Sequence, residues 1–331
     1  MSMRYPYLLI SSFLLVTCSS CSKKVKEDSV VSERYIHKYG YAVSKDEFQK
    51  GKYPGQVVTM LKDGVIVTHT YEDGLLHGPS TRTFPDSSTV ESYTLYNQGN
   101  AVEEVTYTIN GIPLKRQVQL SPTRHSITKW YAKGTPLSTE EYGSQELISG
   151  QYYTPQHEVE SQIEKGSGVR IIRDTQGLLL SKEEVEGGQV IKKELFYSSG
   201  TPESISYYKD GELHGEKRTF TESGEPVSTK EYVHNKLHGK TTFYKNGDRF
   251  VEIHYLDGMK NGLEIHYLDG ETISQEVLWE NDKKHGPSKY YVDGIAQVEY
   301  FYDGVAVTEQ QWNDCNRLDS IITQIDTQAS W

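Results

Sequence analysis

Cysteine is nearly absent from this chain: 331 residues contain three, Cys18, Cys21 and Cys315. Two of these fall within the first 21 residues, so no disulfide framework can staple the remainder. Large apolar residues are also scarce, with 8 Phe, 4 Met, a hydrophobic fraction of 35% and a mean hydropathy of −0.64. That is too little to fill the core of a two-layer sandwich of this length. Basic charge is in deficit, 35 Lys and Arg against 46 Asp and Glu, for a formal charge of −11. Phosphate binding draws its affinity from Lys and Arg, so nucleic acid is disfavoured as a partner. The same sign opposes direct docking of the folded part on acidic lipid headgroups. No phosphate-cradling loop and no elbow for a Ser nucleophile is present; Gly166-Ser167-Gly168 is a lone glycine-rich triplet.

Tyrosine and glycine are abundant, at 25 and 28 residues. The glycines are periodic. Gly177, Gly200, Gly224, Gly247, Gly270 and Gly294 are spaced by 23, 24, 23, 23 and 24 residues, and upstream Gly111 and Gly134 keep the same step, 23 apart. A fixed period of this size marks a repeat array, which grows by stacking and has no central core. A second turn follows half a period later, at Gly188, Gly211, Asn235, Gly258, Asp282 and Gly304. The segment EIHYLDG occurs at 252–258 and again at 264–270, so the two halves of a repeat are variants of one strand-plus-turn unit. Runs rich in Thr, Val, Ile, Tyr and Phe lie between Asn246-Gly247, Asp257-Gly258, Asp269-Gly270 and Asp293-Gly294. Asn-Gly and Asp-Gly between β-prone runs are strong hairpin signals, because such turns need positive φ. The expected fold is all-β: an elongated, single-layer antiparallel β-hairpin array with a period of about 23 residues. Tyr suits such a sheet, with an apolar ring for cross-strand packing and a hydroxyl left wet.

The better copies carry a fuller frame. An aromatic residue is followed six positions later by His-Gly: Tyr71 by His77-Gly78, Tyr208 by His214-Gly215, Tyr232 by His238-Gly239 and Trp279 by His285-Gly286. Tyr255 has Asn261-Gly262 in the same place, and Phe220, Tyr244, Tyr267 or Tyr291 comes five residues past the glycine. This frame resembles the MORN repeat (membrane occupation and recognition nexus), in the bacterial variant found in YwqK-like antitoxins. The resemblance covers roughly 196–304 well and 57–195 more weakly. It implies a β-hairpin array and no single activity, since members serve as scaffolds and membrane-associated modules. Residues 144–170 fit the frame poorly, as a degenerate or interrupted repeat.

The ends read differently. Residues 1–21 carry Arg4, an apolar stretch from about Tyr7 to Val16, and Thr17-Cys18-Ser19-Ser20-Cys21. The stretch is too short to span a bilayer as a permanent helix and fits a secretory signal. Its cysteines make it resemble a bacterial lipoprotein signal, with Cys18 or Cys21 as the lipidated residue. An ordinary cleaved signal is the alternative. The polar segment 22–50 is a tether and N-terminal cap, in which Ser44-Lys-Asp-Glu47 has capping-box form and starts a short helix over 44–50. Repeats occupy 51–311. In 312–331, Leu318, Ile321, Ile322 and Ile325 show helical spacing, which predicts a capping helix over about 314–326. Cys315 is a free thiol under this cap, or pairs with Cys21 if Cys18 carries the lipid.

Candidate chemistry is sparse. His214, His238 and His285 recur, but equivalent positions in successive repeats are two strands apart, roughly 9–10 Å, too far to converge on zinc, so they read as turn and cross-strand residues. His254 and His266, 12 residues apart in the duplicated segment, have no obvious third ligand. Glu231, Glu252, Glu264, Glu276 and Glu299 recur as cross-strand partners of residues such as Lys230. No metal or other cofactor is expected. The reading that follows is a non-enzymatic, lipid-anchored repeat protein of a bacterial cell envelope (periplasm or outer membrane), acting as a scaffold for a protein or glycan. Its rivals are an antitoxin-like protein that neutralises a toxin by direct binding, and an enzyme with a site in 144–170.

Overall fold

The computed structural model describes residues 29–329, with side chains to Asp319. The signal-peptide reading of 1–21 and the first part of the tether lie outside the described residues, as does Cys21. The described chain is almost entirely antiparallel strand, 27 segments with two helices. It divides into two compact units: Ser29–Glu91 with Tyr96–Asn100, and Ser92–Leu95 with the chain from Ala101 onward.

In the first unit, Val30–His37 pairs with both Ala42–Val43 and Gly55–Leu61, and Gly55–Leu61 with Ile66–Glu72. Helix α1 spans Lys45–Gly51. Ser44 caps it by accepting from the Glu47 amide while the Glu47 side chain accepts from the Ser44 amide, a reciprocal capping box. Phe48 is the buried face of α1; its ring packs 5.5 Å from Tyr35 and 6.0 Å from Tyr71. Leu61, Val65 and Val67 form a small core with Val30.

From Asn100–Tyr107 to Val305–Val307 the strands pair antiparallel in chain order, except that the short Lys283–Lys284 and Gly286–Val292 both pair with Ile273–Glu280. Two turn types recur, alternating except where Asn246-Gly247 and Asp293-Gly294 put a two-residue turn in the place of the first type. In the first, the amide before the turn donates to the carbonyl four residues on, as Tyr197 does to Thr201 at 2.9 Å, and a positive-φ glycine closes the bend, as at Gly200. The second is a two-residue turn with positive φ at both positions, such as Asp210-Gly211 (52° and 80°) and His234-Asn235 (48° and 64°), the backbone that matches strand twist. Turns of the second type are laced to one another. The Asn235 amide donates to the Leu213 carbonyl, Gly258 to Leu237, Asp282 to Lys260 and Gly304 to Lys284, at 2.8–3.0 Å. Where Asn or Asp replaces glycine in this series, its side chain returns a bond: Leu213 N–H to Asn235 Oδ1 and Lys260 N–H to Asp282 Oδ1.

Helix α2 runs Glu309–Ala329, starting five residues earlier than the apolar spacing predicts. Its start is polar: Thr308 accepts from the Gln311 amide, and Gln311 Oε1 accepts from the Thr308 amide. The Trp312 ring lies 5.7 Å from that of Tyr300, and the Tyr302 hydroxyl donates to Asp319 at 2.6 Å. The Asp319 carboxylate pushes the Tyr302 phenol up to about 12.

Candidate functional site

The aromatic and His-Gly residues of the frame are placed by one local geometry. After the two-residue turn, the returning strand carries an irregularity at His-Gly: Tyr232 pairs with Leu237, but the next ladder pair is Lys230 with Thr241. The glycine takes positive φ (Gly78 89°, Gly215 94°, Gly239 89°, Gly262 104°, Gly286 96°) and pairs with the aromatic of the following repeat. Gly215 faces Tyr232, Gly239 faces Tyr255, Gly262 faces Trp279, and Gly286 faces Phe301. A side chain here would meet both an unfavourable φ and the preceding strand; at Gly262 a Cβ would lie 3.2 Å from the His254 Cβ. Burial pushes the Tyr232 and Tyr255 phenols up, and the Lys260 ammonium sits 4.5 Å from the Trp279 ring centroid.

The frame histidines each reach the first residue of the half-period turn one repeat further on. His77 Nδ1 accepts from the Gln98 amide at 3.3 Å, and His285 Nδ1 from the Asp303 amide at 3.5 Å. His238 lies 3.6 Å from the Asp257 carboxylate, and the His214 ring meets His234 edge-on at 5.5 Å. Asn261, which takes the histidine place beside Tyr255, donates to Asn281 at 3.4 Å. Tyr208 begins the His214 copy, pairing with Leu213 across the turn. Frame histidines therefore tie one repeat to the next.

Most of the other recurrent polar residues are also occupied; Glu231 and Glu299 are not. Pairing of Val251 with His266 and Glu252 with Ile265 puts His254, which shares a face with Glu252, on the sheet face opposite His266. His254 bonds the Leu263 carbonyl at 3.0 Å and His266 bonds Glu264 at 2.7 Å. Glu252 accepts from Tyr267 at 3.1 Å and Glu276 from Tyr291 at 2.9 Å, with Lys240 and Lys289 as cationic partners. Glu264 takes Lys260 at 2.6 Å, Glu231 pairs with Glu216 across the ladder, and Glu299 lies exposed opposite Ser288. Among the described residues no group of three or more His, Cys, Asp or Glu side chains is arranged to hold a metal ion. Cys315 is free and half-buried.

The least regular stretch of sequence holds the densest polar cluster. Strands run through it at Glu146–Tyr153, Val159–Glu164 and Ser167–Arg173; His157, at φ 67°, takes the place of the missing turn glycine. Here the sheet coils sharply. Ala132 donates to the Thr175 carbonyl and Leu147 to Gly188, each passing over the turn between them. Glu140 and Arg170, three strands apart and roughly 14 Å distant in a flat sheet, touch. Arg170 Nε donates to Glu140 at 2.7 Å, Nη2 to the other Glu140 oxygen at 3.2 Å and to the Tyr142 hydroxyl at 3.0 Å, and Nη1 to Glu183 at 3.1 Å. The Tyr142 and Tyr152 hydroxyls donate to Glu140, both at 2.9 Å, and Lys193 pairs with Glu183 at 2.9 Å. The Glu140 and Glu183 side chains are 4% and 3% exposed; two cations balance two anions.

Burial would raise the Glu140 carboxyl, but Arg170 and the two phenols outweigh it and hold it below the usual carboxylate range. Burial and the Glu140 charge push both phenols well up. Leu147, Tyr152, Ile163 and Val185 form a buried apolar core, with Tyr142 packed against it. Room comes from glycine on the closing face: a Cβ at Gly168 would overlap the Gln162 carbonyl. Gly166-Ser167-Gly168 is thus a turn and a close approach. Every charge here is matched inside the fold, so the cluster braces the bend. Sequence reasoning missed it, although one signal was present: Ser138-x-Glu140 and Ser181-x-Glu183 stand at the same distance after Gly134 and Gly177.

No protein-family profile matches the chain, and no curated protein does. Among solved structures it is similar to a chain of the TcdB2–TccC3–Cdc42 complex, at 11% identity and a TM-score of 0.17, covering 80% of this chain and 18% of that one. A likeness at that score carries no argument.

Proposed function

We propose that this protein is a non-enzymatic binding scaffold of a bacterial cell envelope, of the MORN-like kind, tethered by a lipid on Cys18 or Cys21. The observation that carries the reading is the occupation of its recurrent polar groups. The buried glutamates and the arginine of the bend each have a partner within the fold, and the frame histidines contact the neighbouring repeat although His214 and His238 Nδ1 are buried without a hydrogen bond, which leaves exposed side chains on successive hairpins as the working surface. Tyr39, Tyr41, Phe250, Leu268 and Ile295 are among the large side chains so displayed. An extended surface of this sort gains affinity by repetition of modest contacts. Capture from envelope extracts tests it, with residues 22–331 as bait so that the strand beginning at Val30 is kept whole. Retention of one defined protein or glycan over an unrelated β protein is expected. Retention of nothing above that control would overturn the reading.

A further inference from the structure

The last full strand of the second unit has an open edge. Ile295–Tyr302 pairs along its length with Gly286–Val292 on one side, but on the other side Val305–Val307 reaches only Tyr300–Tyr302. The chain then leaves the sheet at Thr308 to start α2, whose Trp312 and Asp319 meet Tyr300 and Tyr302. The two-residue turn Asp293-Gly294 makes Val292 and Ile295 a hydrogen-bonded pair. Alternation along the ladder then makes Tyr290–Gln297 and Ser288–Glu299 bonded pairs as well. The N–H and C=O groups of Ala296 and Val298 therefore point outward, into a lane that no described strand fills.

Apart from Glu299 at its far end, the side chains on this edge are not of the kind that blunt one. Edge strands are protected by lysine, proline, bulges or a covering element. Here Ile295 is 70% exposed and Val298 46%, with Ala296 exposed between them. Where Val305–Val307 stops, a notch of about 450 Å³ opens in line with the empty lane, lined by Val298, Tyr300, Ala306, Val307 and Glu309. The charges around it are acidic: Asp293, Glu299 and Glu309 are all exposed. The nearby cation Lys289, opposite Val298, is engaged by Glu276 at 3.2 Å.

We infer that residues 295–299 form a strand-addition site for an extended segment of a partner protein in which apolar residues alternate with Lys or Arg. The segment would pair with the outward backbone groups of Ala296 and Val298, seat one apolar side chain in the notch and set its cations against Asp293, Glu299 and Glu309. Main-chain bonds supply affinity in this mode, and alternate side chains supply selectivity. A second copy of this chain is the poorer occupant, since each copy carries a charge of −11 and would bring Glu299 against an acidic edge. The inference rests on the binding-scaffold reading.

The test uses the full chain and fluorescein-labelled nine-residue peptide pools read by anisotropy. One pool alternates Lys or Arg with Val, Ile or Leu; a second carries Asp or Glu in place of the cations; a third is the first with alternate backbone nitrogens methylated. The first pool alone is expected to bind, and binding should fall at least tenfold in Val298→Pro and in a Glu299→Lys, Glu309→Lys double variant. Proline at 298 removes an outward N–H and leaves the inner ladder intact, as edge strands permit; the charge variant decides the matter if it does not fold. Equal binding of the acidic pool, no binding by the first pool, or binding untouched by both variants overturns the inference. A concentration-dependent dimer abolished by Val298→Pro overturns it in favour of self-pairing. Failure of these peptides leaves envelope capture through other surfaces intact, so the two readings fail separately.

Discussion

Among single residues, Arg170 has the largest expected effect on stability. It satisfies two glutamates whose side chains are 4% and 3% exposed. Removing one partner of a buried ion pair leaves an uncompensated charge and typically costs about 3–5 kcal/mol, whereas replacing the whole group with apolar residues is often neutral. Urea unfolding at pH 7 should therefore show Arg170→Met destabilised by roughly that amount. The triple change Glu140→Leu, Arg170→Met, Glu183→Leu should recover most of it; no recovery would mean that the cluster does more than brace the bend. Glu140 of this group, with Glu264 on a later strand, sets an acid limit. The Glu140 and Glu264 carboxyls are held below the usual range despite burial, so their contribution is complete above the unfolded carboxylate pKa of about 4.3. It is lost as pH falls through the lower folded values. The wild-type unfolding midpoint should stay flat from neutral pH to about 5 and drop below about 4, with a smaller drop in the triple variant.

At the scale of elements, turns and hairpins were legible because each depends on one or two residues close in sequence. Asn235 and Asp282 could be read as turn positions in glycine's place, and Ser44 with Glu47 gave the short helix within one residue of its observed Lys45–Gly51. The start of α2 was not legible from apolar spacing, since Thr308-Glu-Gln-Gln is polar and the helix is opened by its cap. Replacing such a cap by alanine costs about 0.5–2 kcal/mol. Thr308→Ala should thus lower amide-exchange protection at Gln311 and Trp312 and leave the strands up to Val292 unchanged. Loss of protection throughout the second unit would show that α2 holds the sheet together. The sharp coil over 136–196 was hidden for a different reason. It joins residues 30 positions apart, and the spacing from Gly134 to His157 to Gly177 shortens to 20 residues in its second step, which reads as a lapse in the repeat.

For the molecule as a whole, the repeat governs what can be inferred about function. A polar residue that recurs with the period is explained by the period, and the His-Gly series is the clearest case: each histidine, or Asn261 in its place, contacts the first residue of the half-period turn in the following repeat. Specific features lie where periodicity lapses, at the coil braced by Arg170 and at the open edge beside Val298. The N-terminal reading rests on sequence, because residues 1–28 lie outside the described structure. It also carries the central claim, that a lipid on Cys18 or Cys21 places this surface at an envelope membrane. The most direct test is metabolic labelling with a fatty-acid analogue in the wild type and a Cys18→Ser, Cys21→Ser double variant. The expected result is label on the wild-type chain in the membrane fraction and none on the variant. Equal labelling of the two, or an unlabelled wild-type chain retaining residue 1 in the soluble fraction, would contradict the account.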